Sequence, residues 1–235
     1  MKLARYGKRE WLGGGLLALA IGSVGAGLMR LGFPLLGEII CILSAGFWLV
    51  LAAFFRVPNR KIPQDSTLLL SPADGVVKDI ETILDHGITP FEGQSLVRIG
   101  IFLSVLDVHV NRAPCELEVI YRKYKEGFFH DARDPRCARE NESLMIAGWG
   151  RVADEKVPVA IRQVSGAIAR RIVCEAEVDS HWERGQIYGM IKFGSRTELF
   201  FPADQGISTC VKLGQKVRSG ITPLAQKIET GISVE

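Results

Sequence analysis

Residues 190–202 run MIKFGSRTELFFP, a strand-like stretch interrupted by Gly194, Ser195 and Arg196. Glycine inside a strand weakens it and marks a bulge, a tight bend or a place where another group comes close to the backbone. A serine follows at once, so two readings stand side by side. One is a bulge at a sheet edge; the other is a Gly194 carbonyl that is itself a target for chemistry by its neighbour.

The surroundings of this stretch are β-rich. LLLSPADGVVKDIETIL from residue 68, QSLVRIGIFLSVLDVHVN from 94, CELEVIYR from 115 and VPVAIRQVSGAIARRIVCEAEV from 157 are short apolar runs broken by Gly, Pro and Asp. GQIYGMIKF from 185, RTELFFP from 196 and ISTCVKLGQKVRSGITPLA from 207 continue the pattern, and each reads as strand separated by turns. Helical periodicity is scarce beyond residue 60. The domain is expected to be mainly β, a barrel or sandwich and not a doubly wound α/β sheet. SPADGVV, residues 71–77, and VKLGQKVRSGITPLA, residues 211–225, look like partners. The V-x-x-G-x-x-V-x-x-G spacing of the second resembles the hammerhead turns of lipoyl and biotinyl domains, which implies a barrel-sandwich hybrid. The glutamate-alanine-methionine-lysine-methionine hairpin that holds a carrier's cofactor is absent from the sequence.

Charge and apolarity are unevenly shared. Residues 1–61 hold eight Lys or Arg against Glu10 and Glu38, or +6; the other 21 basic and 24 acidic residues sum to −3, which gives the net +3 of the whole chain. The larger part is thus slightly acidic, and no nucleic-acid partner is expected. Trp11–Met29 and Ile39–Phe55 carry no charge, and each approaches the roughly 20 residues that cross a bilayer. The first is rich in glycine, which suits close helix packing or a shallow re-entrant segment. Lys2, Arg5, Lys8 and Arg9 precede the pair, and Arg56, Arg60 and Lys61 follow it. The positive-inside rule therefore places both ends on the cytoplasmic side of the cell membrane, with a turn near 30–38 that contains Pro34. A cleaved signal peptide fits less well, because the apolar run before Ala18-Leu19-Ala20 is short and a second apolar segment follows. The expected organisation is a membrane-anchoring helical hairpin over 1–56 and a β domain over 57–235. Arg60 and Lys61 sit where lipid phosphate could be met, although topology control accounts for them more simply. The five cysteines are odd in number and widely spaced, as for reduced thiols in a cytosolic domain, and no metal site is expected.

Candidate chemistry gathers at a few positions. Of four histidines only His109 lies in a dense apolar strand, where its ring needs a partner. Asp74 in SPADG and Ser195 in FGSR complete a possible Asp, His, Ser set. The strand-poor stretch Lys125–Met145 sets Phe128 and Phe129 beside Arg133, Arg136 and Arg139, which suits either an apolar contact ringed by phosphate-binding cations or an ordinary solvated loop.

Together, SPADG, FLSVLDVHVNRAP, VSGAIARRIV, FGSR and the apolar N-terminus resemble the short phosphatidylserine decarboxylases, pyruvoyl-dependent enzymes of phospholipid synthesis. The resemblance covers residues 57–235 with the motifs in the family's order. It implies a proenzyme in which the Ser195 hydroxyl attacks the Gly194 carbonyl, converts the amide to an ester, and is eliminated as the chain is cut. The dehydroalanine left behind loses ammonia on hydrolysis and becomes a covalent pyruvoyl group. A β chain of residues 1–194 and an α chain of residues 195–235, 41 residues by 235 − 194, would result. The resemblance further implies His109 as base with Asp74 orienting it, phosphatidylserine in the bilayer as substrate, and a homodimer; with that substrate, Phe128, Phe129 and Arg133 of the 125–145 stretch become the candidate substrate contacts. Longer bacterial members carry a second histidine that falls here on Arg112, so His109 must serve the cut unaided and also handle protons in decarboxylation. Two other classes remain: a non-catalytic, membrane-anchored lipoyl-like adaptor or carrier, and a serine hydrolase. The latter lacks its G-x-S-x-G elbow, because position 193 is Phe and position 197 is Thr.

Overall fold

The computed structural model describes residues 2–134, 136–167, 171–192 and 194–228. Phe193 of FGSR and residues 168–170 of VSGAIARRIV therefore lie outside the described residues. The chain divides into two compact units, Met1–Asn59 and Arg60–Glu235.

The first unit is an antiparallel pair of helices, α1 (Lys8–Arg30) and α2 (Pro34–Phe54), followed by a two-residue strand, Arg56–Val57, that pairs with Lys2–Leu3. Both helices are long and apolar enough to cross a membrane. At 1.5 Å per residue they measure about 34 and 32 Å, against roughly 30 Å of hydrocarbon core. Pro34 is not in the connecting turn, as the sequence suggested, but opens α2. Its missing N–H costs nothing at a first helical position, and its fixed φ suits one. The glycines serve packing: a Cβ on Gly25 would lie 2.8 Å from the Gly37 carbonyl oxygen, and one on Gly37 would lie 2.3 Å from that of Gly25. Backbones meet there, as small residues allow in apolar surroundings where no hydrophobic force drives helices together. Leu16, Leu19, Leu35, Leu43 and Val50 stay exposed on the outer faces.

The second unit is built on an eight-stranded antiparallel sheet. Its order is His181–Trp182, Glu116–Lys125, Ser143–Val152, Glu155–Val164, Ser195–Pro202, Leu96–Leu103, Gly75–Ile83 and Lys216–Val217. One three-stranded sheet joins Arg171–Cys174, Ile187–Lys192 and Val110–Arg112, and another joins Ile207–Thr209, Pro223–Lys227 and Leu68–Leu70. The segments expected to pair do so: Lys216 and Val217 lie opposite Val76 and Gly75, and Ser71 N–H donates to the Thr222 carbonyl. The main core holds Leu69, Val77, Ile101, Leu103, Val119, Ile146, Ile161, Leu199 and Phe201. A smaller cluster with Phe91, Leu96, Met145, Ala160 and Phe200 forms separately.

This arrangement answers the question posed by residues 190–202. They are not one strand with a bulge but the ends of two strands in different sheets, Ile187–Lys192 and Ser195–Pro202, with Gly194 at the corner. Pairing with Leu96–Leu103 runs without a break from Ser195 to Pro202. All eight residues of that central strand are buried. Strand alternation sends Leu199 and Phe201 to the main core and Phe200 to the smaller cluster, so Ser195 and Thr197 share the main-core side while Arg196 and Glu198 face the other. The cysteines described are free, and burial pushes the thiol of Cys115 up to about 12 and those of Cys137 and Cys174 to about 11.

Candidate active site

Ser195 begins the central strand fully buried, and its Oγ has no hydrogen-bond partner among the described residues. An unpaired buried hydroxyl costs about 1–3 kcal/mol, so its persistence points to a function. Gly194 before it has φ +63, a conformation that costs residues with a Cβ about 1–2 kcal/mol. Among the described residues a Cβ there would meet only Val105, at 3.8 Å, so conformation and not crowding calls for glycine.

His109 lies over this corner. It just precedes the Val110–Arg112 strand, is fully buried, and its Nε2 accepts the Gly194 N–H at 3.3 Å. Nδ1 is 2.9 Å from the Asp107 carbonyl oxygen. A carbonyl only accepts, so Nδ1 carries the proton and the Nε2 lone pair faces the Gly194–Ser195 corner. The Asp107 carbonyl is aimed by a tight turn: Ser104 N–H donates to the Asp107 side chain at 2.8 Å, and Asp107 N–H returns to the Ser104 carbonyl.

The hydrogen bonds described for Asp74 go to Arg60 and Ser219. Its carboxylate takes two hydrogen bonds from Arg60, at 2.6 and 2.7 Å, and one from the Ser219 N–H at 2.8 Å. Arg60 also reaches the Ser219 carbonyl and hydroxyl, and its side chain is only 8% exposed. The cation assigned to topology or lipid phosphate is thus a buried clamp between SPADG and the 211–225 segment. Its partners are 14 and 159 residues away, beyond any local signal. Arg112, where the longer enzymes carry histidine, donates to the Gly185 carbonyl at 2.8 Å. Burial, and then the neighbouring Arg60 charge, lower its pKa.

A third wall was not foreseen. Gly166 follows the Glu155–Val164 strand, and a Cβ there would stand 2.2 Å from the Gly194 carbonyl oxygen and 3.1 Å from its carbon. The Gly194–Ser195 peptide therefore presents its carbonyl oxygen to the bare Cα of Gly166. Ser165 is fixed by its N–H on the Glu142 carbonyl and by Asn141 Nδ2 on its own carbonyl at 2.8 Å. The only sequence signal was a glycine at the end of the run VPVAIRQVSG.

A cavity of about 320 Å³ opens beside Gly194, lined by Phe102, Leu103, Ser104, Val105, Asp131, Ala132, Arg133 and Ala167. Arg133 arrives from the 125–145 loop, where it pairs with Asp131 at 2.6 Å. The same loop carries Phe128 and Phe129, 66% and 40% exposed. That loop is tied to itself by a bridge between Phe128 and Asn141. On the opposite side of the sheet Arg196, nearly buried, bonds Asp79 and Glu198, both at 2.7 Å, which fixes the strand immediately after Ser195.

A buried hydroxyl on the residue after the Gly194 carbonyl, with an imidazole lone pair at the same corner, is an arrangement suited to a chain that acts on itself. Known proteins agree. The family model described as phosphatidylserine decarboxylase matches residues 47–225. The phosphatidylserine decarboxylase proenzyme of Trichlorobacter lovleyi is 42% identical over 178 residues, covering 76% of this chain and 77% of that one. That of Chlorobium luteolum is 38% identical over 230 residues, 95% of this chain and 99% of its own. That of Rhodopirellula baltica is 36% identical over 203 residues, 82% of each. The chain belongs to the phosphatidylserine decarboxylase family.

Proposed function

We propose that the chain is the proenzyme of a membrane-bound phosphatidylserine decarboxylase, which cuts itself between Gly194 and Ser195 and then converts phosphatidylserine to phosphatidylethanolamine. The observation that carries this reading is the Ser195 hydroxyl, buried and without a partner among the described residues, after a glycine whose N–H rests on His109 Nε2. His109 takes the hydroxyl proton at Nε2 as Ser195 Oγ adds to the Gly194 carbonyl. The C–N bond breaks, the amine leaves protonated, and an ester joins Gly194 to Ser195. Loss of the Ser195 Cα proton then breaks the Cβ–Oγ bond, releasing the β chain (1–194) with a C-terminal carboxylate. The residues fit a pyruvoyl group at 195: a serine stands there to become it, its hydroxyl shielded and without a partner among the described residues, after a residue with no side chain.

When formed, that group supplies a ketone for the substrate's amine and an electron sink for loss of carbon dioxide. The rest falls to the chain's own side chains. The cavity at Gly194 holds the serine headgroup, with Arg133 facing its phosphate. Phe128 and Phe129 meet the apolar part of the lipid. His109 Nε2 holds the proton that replaces the carboxylate. Asp74 contributes through Arg60, by holding the segment around Ser219. The helix pair keeps the enzyme at the cytoplasmic face of the cell membrane, where its substrate stays.

The test is the intact mass of the purified protein under denaturing conditions. Two fragments are expected, residues 1–194 and residues 195–235, the second beginning with a serine less ammonia, and Ser195→Ala leaves one chain without activity. A wild-type chain that stays whole at 25.9 kDa would overturn the scheme and return the protein to the non-catalytic adaptor reading.

A further inference from the structure

One step along each strand from the reacting pair, three buried polar side chains form a chain of hydrogen bonds to which no catalytic part has been given. Asn111 is fully buried, as is Thr197, and Gln163 is 1% exposed. Gln163 Nε2 donates to Asn111 Oδ1 at 2.9 Å, and Asn111 Nδ2 donates to Thr197 Oγ1 at 3.1 Å and, longer, to the Pro72 carbonyl at 3.4 Å. Gln163 Nε2 also meets the Val173 carbonyl at 3.3 Å. Because a backbone carbonyl only accepts, the Asn111 amide has one orientation that satisfies both of its ends.

The chain bridges two sheets. Gln163 and Thr197 lie directly opposite each other in the eight-stranded sheet, while Asn111 belongs to a three-stranded one. Strand side chains alternate, so residues two apart share a face. Asn111 is two residues after His109, whose carbonyl still accepts the Ile191 N–H at 3.4 Å and so continues the ladder. Thr197 is two residues after Ser195. The same two-residue step therefore leads from the hydrogen-bonded trio to the pair of His109 and Ser195. Register between strands is set by such contacts, and a slip of one residue would turn the imidazole away from the bond it must act on.

We infer that Asn111, held by Gln163, is the positioning residue that sets His109 over the Gly194–Ser195 bond. The inference rests on the reading of His109 as the base for self-cleavage. Asn111 touches no reacting atom; it fixes the distance at which His109 Nε2 meets the corner.

The test uses the full-length chain with Gln163→Met, which keeps the length of the side chain and removes its hydrogen bonds, and with Asn111→Leu as a second variant. Three quantities are measured: the rate of appearance of the two fragments, the melting temperature of the same substitution in the uncuttable Ser195→Ala chain, and the imidazole nitrogen NMR signals of His109 in that chain. Gln163→Met is expected to slow cleavage tenfold or more, lower the melting temperature by roughly 2–12 °C while the chain still unfolds in one cooperative transition, and move the His109 Nε2 signal as the Gly194 N–H contact loosens. Cleavage at the wild-type rate in a variant that folds would overturn the inference. Slow cleavage with an unmoved His109 signal would overturn it too, since the trio would then act on something other than the base. A wild-type chain that never cuts is a different failure, that of the parent reading.

Discussion

Replacing Gly166 with alanine puts the self-cleavage scheme to a quantitative test. The new Cβ would lie 2.2 Å from the Gly194 carbonyl oxygen, whereas carbon and oxygen settle at about 3.3 Å or more. Both neighbours are backbone, so no flexible side chain can swing away, and the two segments must part by about 1 Å. Ser165 is anchored at its N–H and its carbonyl, which leaves Gly194 to move. A misplacement of about 1 Å at a reacting group costs on the order of 100-fold in rate. The overpacking itself costs about 1–3 kcal/mol of stability. The assay is a denaturing-gel time course of newly translated chain, following the full-length band into its two fragments. A parallel melt of Gly166→Ala in the Ser195→Ala chain separates folding from chemistry, since neither of those proteins can be cut. Wild-type cleavage kinetics in Gly166→Ala, with an unaltered melt in the uncut pair, would refute the claim that the scissile carbonyl is seated on residue 166.

Arg133→Ala should leave the two fragments forming normally but raise KM for phosphatidylserine about tenfold, as expected for losing one charged contact with the headgroup; unchanged KM would remove Arg133 from the substrate site. Asp74→Asn leaves Arg60 buried without a counter-charge and should cost about 3 kcal/mol in denaturant unfolding of the uncuttable chain. At Asp79, burial works against ionisation, but the hydrogen bond and charge of Arg196, then the charge of Arg98, outweigh it and lower the pKa. The folded value being depressed, this stabilisation is present above the unfolded pKa of about 3.9 and is lost as pH falls through the folded value. The wild-type melting temperature should therefore drop on acidification below about pH 4, and Asp79→Asn should begin lower at neutral pH and fall less steeply; parallel curves would rule the pair out as the source.

Much of this was legible in the chain because it is written locally. Charge-free runs mark the helices, Gly-, Pro- and Asp-broken apolar runs mark the strands, and the glycine spacing of 211–225 marks the partner of SPADG. Gly194, Ser195 and His109 stood out as residue types that chemistry needs. What escaped was set by strand pairing across long separations. Arg60 looked like a topology signal because it follows a helix, yet its partners come from residues 74 and 219. Asp74 drew notice as an acid, but an acid's partner is a matter of the fold, and the Asp107 carbonyl that meets His109 Nδ1 has no signature in sequence. Asn111 and Gln163 sat two residues from His109 and one from Val164, visible only once it is known which strands lie over which. The stretch 190–202 misled for the same reason: continuity in sequence hid a change of sheet.

The place of the Ser195–Pro202 strand has a consequence for what the mature enzyme is. The proposed cut falls at the start of a strand flanked on one side by Leu96–Leu103 and on the other by Glu155–Val164. The shorter product would be a subunit that never had to find its partner: it would be folded in place as part of one chain and become a separate molecule only afterwards. Its release would demand unzipping two ladders at once, so the two products should separate only when the whole domain unfolds. Mixing the fragments after denaturation would then be a harder route to enzyme than making the proenzyme, because the order of events, folding first and scission second, is part of how the site is assembled.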